Sequence, residues 1–146
     1  AATKACPVLI VPEETRPKDI KNVLLTSDFK DTLNSTPSIP IKSFLKQFQP
    51  TLHVINVDKD HYISLTESYE QEKQVLKEMF SEYRPEFYFM RLFELEEAID
   101  LFTHEKQIDL LIAVQKNHSI TEKLFQKSYT KRLSYHSKIP ILVIHE

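Results

Sequence analysis

The stretch that decides the fold is Ile108-Asp109-Leu110-Leu111-Ile112-Ala113-Val114, followed by the polar run Gln115-Lys116-Asn117-His118-Ser119, and closing on Lys138-Ile139-Pro140-Ile141-Leu142-Val143-Ile144. A short apolar run, a polar loop, a helical segment from about Ile120 and a second apolar run read as strand, loop, helix and strand. The two apolar runs are almost continuous, which is the pattern of strands covered on both faces. In such a unit the loop after the first strand is where a phosphate would be held, against a helix N-terminus. That loop contains no glycine, and neither does any other part of the 146 residues.

Working outward, the same alternation recurs. Val23-Leu24-Leu25-Thr26 reads as a strand ending at Ser27-Asp28, followed by a polar loop to Ser38. Pro40 suits the first turn of a helix, where its missing N–H has no partner to lose. Ile41, Phe44, Leu45 and Phe48 then recur at helical spacing up to Pro50. Leu52-His53-Val54-Ile55-Asn56-Val57 reads as a strand, and Leu65, Tyr69, Leu76, Phe80 and Tyr83 as one face of a long amphipathic helix. Glu86 to Leu92 is an aromatic-rich strand. Leu95, Ala98, Ile99 and Phe102 mark a further helix, with acidic residues at its start and His104 and Lys106 at its end, as the helix dipole favours. From residue 22 the order is β-α-β-α-β-α-β-α-β, which predicts parallel strands joined by right-handed crossovers. Pro7-Val8-Leu9-Ile10-Val11 is an extra strand ahead of this unit, separated from it by the proline- and charge-rich segment Pro12 to Lys21.

Composition narrows the function. Apolar residues make up 41% and charged residues 27%, ordinary for a soluble domain, and the formal net charge is -2, which gives no global attraction to nucleic acid or anionic membrane. No apolar run approaches the ~20 residues of a membrane-spanning helix. Cys6 is the single cysteine, so no internal disulfide can form; a reducing cytoplasm and a buried structural thiol are the expectations. The lack of glycine excludes a P-loop, a GxGxxG turn and a nucleophile elbow. The histidines show no metal-ligand spacing, and no Ser/His/Asp constellation stands out, so neither a metal centre nor a catalytic group is expected. Glu70-Gln71-Glu72-Lys73 and Glu94-Leu95-Glu96-Glu97 read as solvated helix faces, and Tyr129 and Tyr135 as packing residues.

Three stretches together resemble the universal stress protein family. Val23 to Phe29, with its terminal Asp28-Phe29, looks like the family's first strand. Leu52-His53-Val54-Ile55 looks like its second. Asp109 to Val114 through Ile139 to Ile144 looks like strand four, the binding loop and strand five. The resemblance implies a three-layer α/β sandwich around a five-stranded parallel sheet of order 3-2-1-4-5, of the adenine nucleotide alpha hydrolase-like, Rossmann-like type. It also makes sense of the extra N-terminal strand. Cys6-Pro7-Val8-Leu9-Ile10-Val11 looks like a second copy of Ile139-Pro140-Ile141-Leu142-Val143-Ile144. Residues 1–19 are accordingly expected to be the tail strand and linker of a preceding domain, and 20–146 a domain of the family's type. The edge strands 7–11 and 139–144 would then mediate homodimer or tandem-domain pairing.

Nucleotide-binding members carry a loop with three glycines, spaced two and then nine residues apart, before a serine. Aligned on Ser128, the three glycine positions are Val114, Asn117 and Lys127. Ser128 and Thr130 match the hydroxyl pair, Asp28 the adenosine-contacting Asp, and Val54 the residue beside the adenine. The spacing survives and the glycines do not. Asn117 tolerates a left-handed backbone; Val114 and Lys127 do so poorly. The resemblance therefore implies a non-catalytic regulatory or interaction domain in a stress response, with no cofactor and no efficient nucleotide site. The alternative is ATP or AMP binding, with magnesium, through Asp28, Val54, Asn117, Lys127 and Ser128; a weak nucleotide hydrolase is a third class.

Overall fold

The structure, a computed structural model, describes residues 6–16, 18–57, 67–90, 95–115 and 139–146. Its strands are β1 (Val8–Ile10), β2 (Asn22–Thr26), β3 (Thr51–Val57), β4 (Glu86–Met90), β5 (Leu110–Gln115) and β6 (Ile141–His145), and its helices α1 (Thr32–Ser35), α2 (Ser38–Leu45), α3 (Glu67–Met79) and α4 (Leu95–Glu105), with a 3₁₀ turn at Ser81–Tyr83. They build one six-stranded sheet of order β1-β6-β5-β2-β3-β4. Counted from β2, the five strands β4-β3-β2-β5-β6 are the expected 3-2-1-4-5 order, and each neighbouring pair among them is parallel. β1 pairs antiparallel with β6 in the same chain.

The period-2 alternation of the strands divides the core. Val23, Leu25, Leu52, Val54, Leu110, Ile112, Leu142 and Ile144 point to one face and pack on Ile41 and Leu45 of α2 and on Tyr69 and Leu76 of α3. Leu24, Ile55, Leu111, Ile141 and Val143 point to the other and pack on Ile99 and Phe102 of α4. Helices thus cover both faces of the sheet, which is why its strands are apolar nearly throughout.

Some sequence expectations shift. The segment after β2, expected as loop, holds the short helix α1. Its N–H at Thr32 and the Thr32 hydroxyl both donate to the Glu72 carboxylate on α3, a tertiary hydrogen bond invisible to local pattern. Helix α2 stops at Leu45, so Phe48 lies beyond it, 40% exposed with its ring tilted against that of Phe44 at 5.2 Å rather than in the core. Helix α3 stops at Met79, and Tyr83 reaches the core from the 3₁₀ turn instead. Cys6 is exposed, ahead of the edge strand β1, whose Val8 and Leu9 are themselves exposed. The expected helix from Ile120 lies outside the described residues.

Three helix-to-strand returns are made without glycine. Gln49, Arg84 and Gln107 hold φ of 50°, 47° and 52°, the left-handed conformation that usually selects glycine after a helix. All three are exposed. Left-handed backbone costs a non-glycine residue about 1–2 kcal/mol, and glycine itself costs about 0.5–1 kcal/mol in chain entropy. Gln49→Gly, Arg84→Gly and Gln107→Gly should therefore each stabilise the fold by about 0.5–1 kcal/mol, read as a rise in the urea midpoint.

The β1–β6 pairing has a local two-fold. Val8, Leu9 and Ile10 face Val143, Leu142 and Ile141 in turn. If Pro7-Val8-Leu9-Ile10 is laid on Pro140-Ile141-Leu142-Val143, the axis passes between Leu9 and Leu142. β6 is buried, whereas Val8, Leu9 and Val11 are 51%, 48% and 56% exposed. β1 thus shields the apolar edge of β6 while presenting its own. Deleting residues 1–12 should lower solubility or raise the mass seen by light scattering; an equally soluble product of unchanged oligomeric state would count against this role.

Candidate functional site

In an open parallel sheet, ligands bind beyond the carboxyl ends of the strands where the winding reverses. Here the reversal lies between β2 and β5: the chain goes from β2 to β3 and β4 on one side and from β5 to β6 on the other. Thr26 stands level with Ala113 and Ile55, and Ser27 continues the ladder by donating its N–H to the Ile55 carbonyl at 3.1 Å. One step up, on the α2/α3 face, the rim runs Ile144, Val114, Ser27, Asn56 and Phe89 across five strands.

Of the residues singled out in the sequence, Asp28, Val54 and Val114 come to this part of the sheet. Asp28 is half-buried, and its Oδ1 accepts the N–H of Lys30 at 3.1 Å, a side-chain turn that Asp forms readily. Val54 is fully buried in the core, level with Leu25 and Phe87. Val114 is 4% exposed and in register with Ile144, so the first position of the expected phosphate loop is a core valine within a strand. Asn117, Lys127, Ser128 and Thr130 lie outside the described residues.

The loop after Asp28 folds inward. Phe29 takes φ 55°, which turns its ring into the core, 4.9 Å from Tyr69 and 6.2 Å from Phe87. Tyr69 in turn meets Phe89 edge-on at 6.1 Å. These rings fill the α3 side beneath the rim. Sequence reasoning passed over Asn56, which is 1% exposed and whose Nδ2 has no hydrogen-bond partner among the described residues. Its signal was a lone amide in an apolar strand.

A second polar cluster sits at the opposite, amino end of the sheet. Asp109, just before β5, accepts the N–H groups of Lys21 and Asn22 on Oδ2 at 2.8 and 2.9 Å, and its Oδ1 pairs with the Lys18 ammonium at 2.7 Å. Asp109 also donates its own N–H to the Asn22 carbonyl. The Asn22 side chain meets His53 Nε2 at 3.1 Å, and His53 Nδ1 stands 3.5 Å from Glu86 Oε2. These groups form a belt across β5, β2, β3 and β4 that ties the linker to the sheet. A shallow groove of ≈ 580 Å³, lined by Lys18 to Lys21, Gln47 to Gln49 and Thr51, opens at this same end, away from the rim. Among the described residues no cluster of His, Cys, Asp and Glu is arranged to hold a metal, and no helix is long and apolar enough to cross a membrane.

Burial pushes the Asp109 carboxyl up, but the Lys18 ammonium and the two N–H donors outweigh it and hold the group below its ordinary 3.8. A depressed carboxyl stabilises the fold above its ordinary value and loses that contribution as pH falls through the folded-state value. At neutral pH Asp109→Ala should cost about 3 kcal/mol, at ~1.5 kcal/mol for each of two hydrogen bonds to a charged acceptor. The gap between wild type and variant, measured by urea unfolding, should shrink as pH falls below 3.8.

No protein-family model and no curated protein matches the sequence. Solved structures do match. A universal stress protein from Archaeoglobus fulgidus DSM 4304 superposes with a TM-score of 0.62 at 16% identity, over 96% of this chain and 50% of that one. A universal stress protein in complex with cAMP gives 0.56 at 15%, over 88% and 98%. A universal stress protein from Archaeoglobus fulgidus in complex with dAMP gives 0.55 at 13%, over 85% and 97%. The chain spans about half the length of the first of these and nearly all of the other two. With six strands in this order and helices on both faces, the chain has the fold of the universal stress proteins.

Proposed function

We propose that the chain is a non-catalytic regulatory or interaction domain of a cytoplasmic stress response that does not hold ATP or AMP. The observation that carries this is Val114. The position that opens the glycine loop in nucleotide-binding members is a buried β5 valine here, and Asn117 and Lys127 follow in place of the other glycines. Phosphate cradles need backbone N–H groups that a ligand can approach closely, and a Cβ blocks that approach. Hydrogen bonds to a charged group contribute about 1.5–3 kcal/mol each. Two lost bonds, at ~1.4 kcal/mol per tenfold, weaken binding at least about a hundredfold.

Residues 1–19 are in this reading the tail strand and linker of a preceding domain, and 20–146 the domain itself. The local two-fold between β1 and β6 supports this. So does the coverage: the structure twice as long matches 96% of the chain, and the two of single length match 85–88%. The exposed side chains of β1 then face a second sheet, in the same polypeptide or in another copy.

The competing reading is an adenine nucleotide held with magnesium by Asp28, Val54, Asn117, Lys127 and Ser128. Asn56 Nδ2 at the rim, without a partner among the described residues, favours it, as do the cAMP and dAMP in two structures of similar fold. Isothermal titration with ATP and AMP, with and without magnesium, separates the two. The expected result is no binding at tens of micromolar; saturable heat at low micromolar concentration would establish the nucleotide reading instead.

A further inference from the structure

His53 is the most deeply buried titratable group of the amino-end belt, 5% exposed near the amino end of β3, between β2 and the edge strand β4. Its surroundings come from three elements. From β2, Asn22 Oδ1 lies 3.1 Å from Nε2, which places the ring proton on Nε2 and leaves Nδ1 as an acceptor. From β4, Glu86 Oε2 lies 3.5 Å from Nδ1, and Tyr88 stacks on the imidazole at 5.8 Å. From α4, Phe102 meets the imidazole edge-on at 6.2 Å, and Lys106, just past the helix, sets its ammonium 5.2 Å over the Tyr88 ring.

Two features of this cluster are unbalanced. His53 Nδ1 is buried with no hydrogen-bond donor among the described residues, facing a carboxylate that cannot supply one. That same carboxylate oxygen accepts the hydroxyl of Tyr88 instead. We infer that His53, Glu86 and Tyr88 form a proton-operated latch between the sheet and the end of α4. A proton taken from solvent onto Nδ1 turns it into a donor, and Glu86 Oε2 exchanges the Tyr88 hydroxyl for the imidazolium. The new bond is charge-assisted and replaces a neutral donor. The imidazolium then shares the Tyr88 ring with the Lys106 ammonium, and two like charges on one ring repel. The acid state therefore releases the Tyr88 hydroxyl and loosens Lys106 from β4.

Burial lowers the His53 value below its ordinary 6.5, the Glu86 charge opposes this and Lys106 adds to it, so the latch stays in its neutral state at neutral pH. Burial and the bonded Glu86 carboxylate push the Tyr88 phenol up to about 12, so the tyrosine itself remains protonated throughout. A histidine held neutral stabilises the fold above 6.5 and loses that contribution as pH falls through its folded-state value. The latch operates within that window, without dependence on any nucleotide.

The test is an NMR titration of the whole chain from pH 8 downward, following the His53 and Tyr88 rings while near-ultraviolet circular dichroism reports folding. At pH 8 the imidazole should be the Nε2–H tautomer. The Tyr88 resonances should then move with the same midpoint as His53, at a pH below 6.5. Glu86→Gln should shift the His53 midpoint to lower pH and uncouple Tyr88 from it; His53→Gln should leave Tyr88 still across the range. The latch is overturned by an Nδ1–H tautomer at pH 8, by a silent Tyr88 while His53 titrates in the folded protein, by an unchanged midpoint in Glu86→Gln, or by His53 titrating only on global unfolding.

Discussion

A chain without glycine must fold every left-handed turn with a Cβ in the way, and most of this structure can be read as what that constraint permits and forbids. Turns permit it. At Gln49, Arg84 and Gln107 the helices α2 and α4 and the 3₁₀ turn end, and the next strand is already fixed by the sheet. The steric cost at each is about 1–2 kcal/mol, small beside the burial of the apolar residues that follow. A phosphate cradle is different. There the requirement is not only a backbone angle but empty space beside the amide, and no amount of packing elsewhere removes a Cβ. Val114 is instead used as core, where its isopropyl group serves the same face as Leu110 and Ile112.

The two ends of the sheet divide the remaining work. The α3 side beneath the carboxyl rim is filled by the rings of Phe29, Tyr69, Phe87 and Phe89, and Asp28 accepts the Lys30 N–H in its own turn. The amino end carries the charge-bearing belt from Lys18 through Asp109, Asn22 and His53 to Glu86. The linker needs such a tie. From Ile10 to Asn22 it has only to pass beneath β6 and β5, a few strand spacings of ~4.8 Å, and its length leaves slack. Asp109 takes up that slack by binding Lys18, Lys21 and Asn22 together.

The fold was legible because strand-helix alternation and near-continuous apolar runs leave few topologies once crossovers are right-handed and parallel. The antiparallel partner of β6 was legible from the likeness of Pro7-Val8-Leu9-Ile10 to Pro140-Ile141-Leu142-Val143. The belt was not. Asp109, Asn22, His53 and Glu86 are far apart in sequence and belong to four different strands or their flanks, so only the parallel register brings them together. Thr32 and Glu72 escaped for the same reason, and α1 with them. Cys6 was misplaced because a single residue before an edge strand carries no signal of which side is covered. Asp28 and Val114 lie at the rim and Val54 one level below it in the core, but the buried Asn56 gave no periodic signal to mark it.

The central claim, that a glycine-free loop cannot keep an adenine nucleotide, is tested most directly by what the protein carries out of the cell. Purified protein denatured with acid and analysed by ion-pair chromatography reports any nucleotide that survived purification. The account predicts no ATP, AMP or related adenine nucleotide above trace level; one molecule of adenine nucleotide for each chain would contradict it.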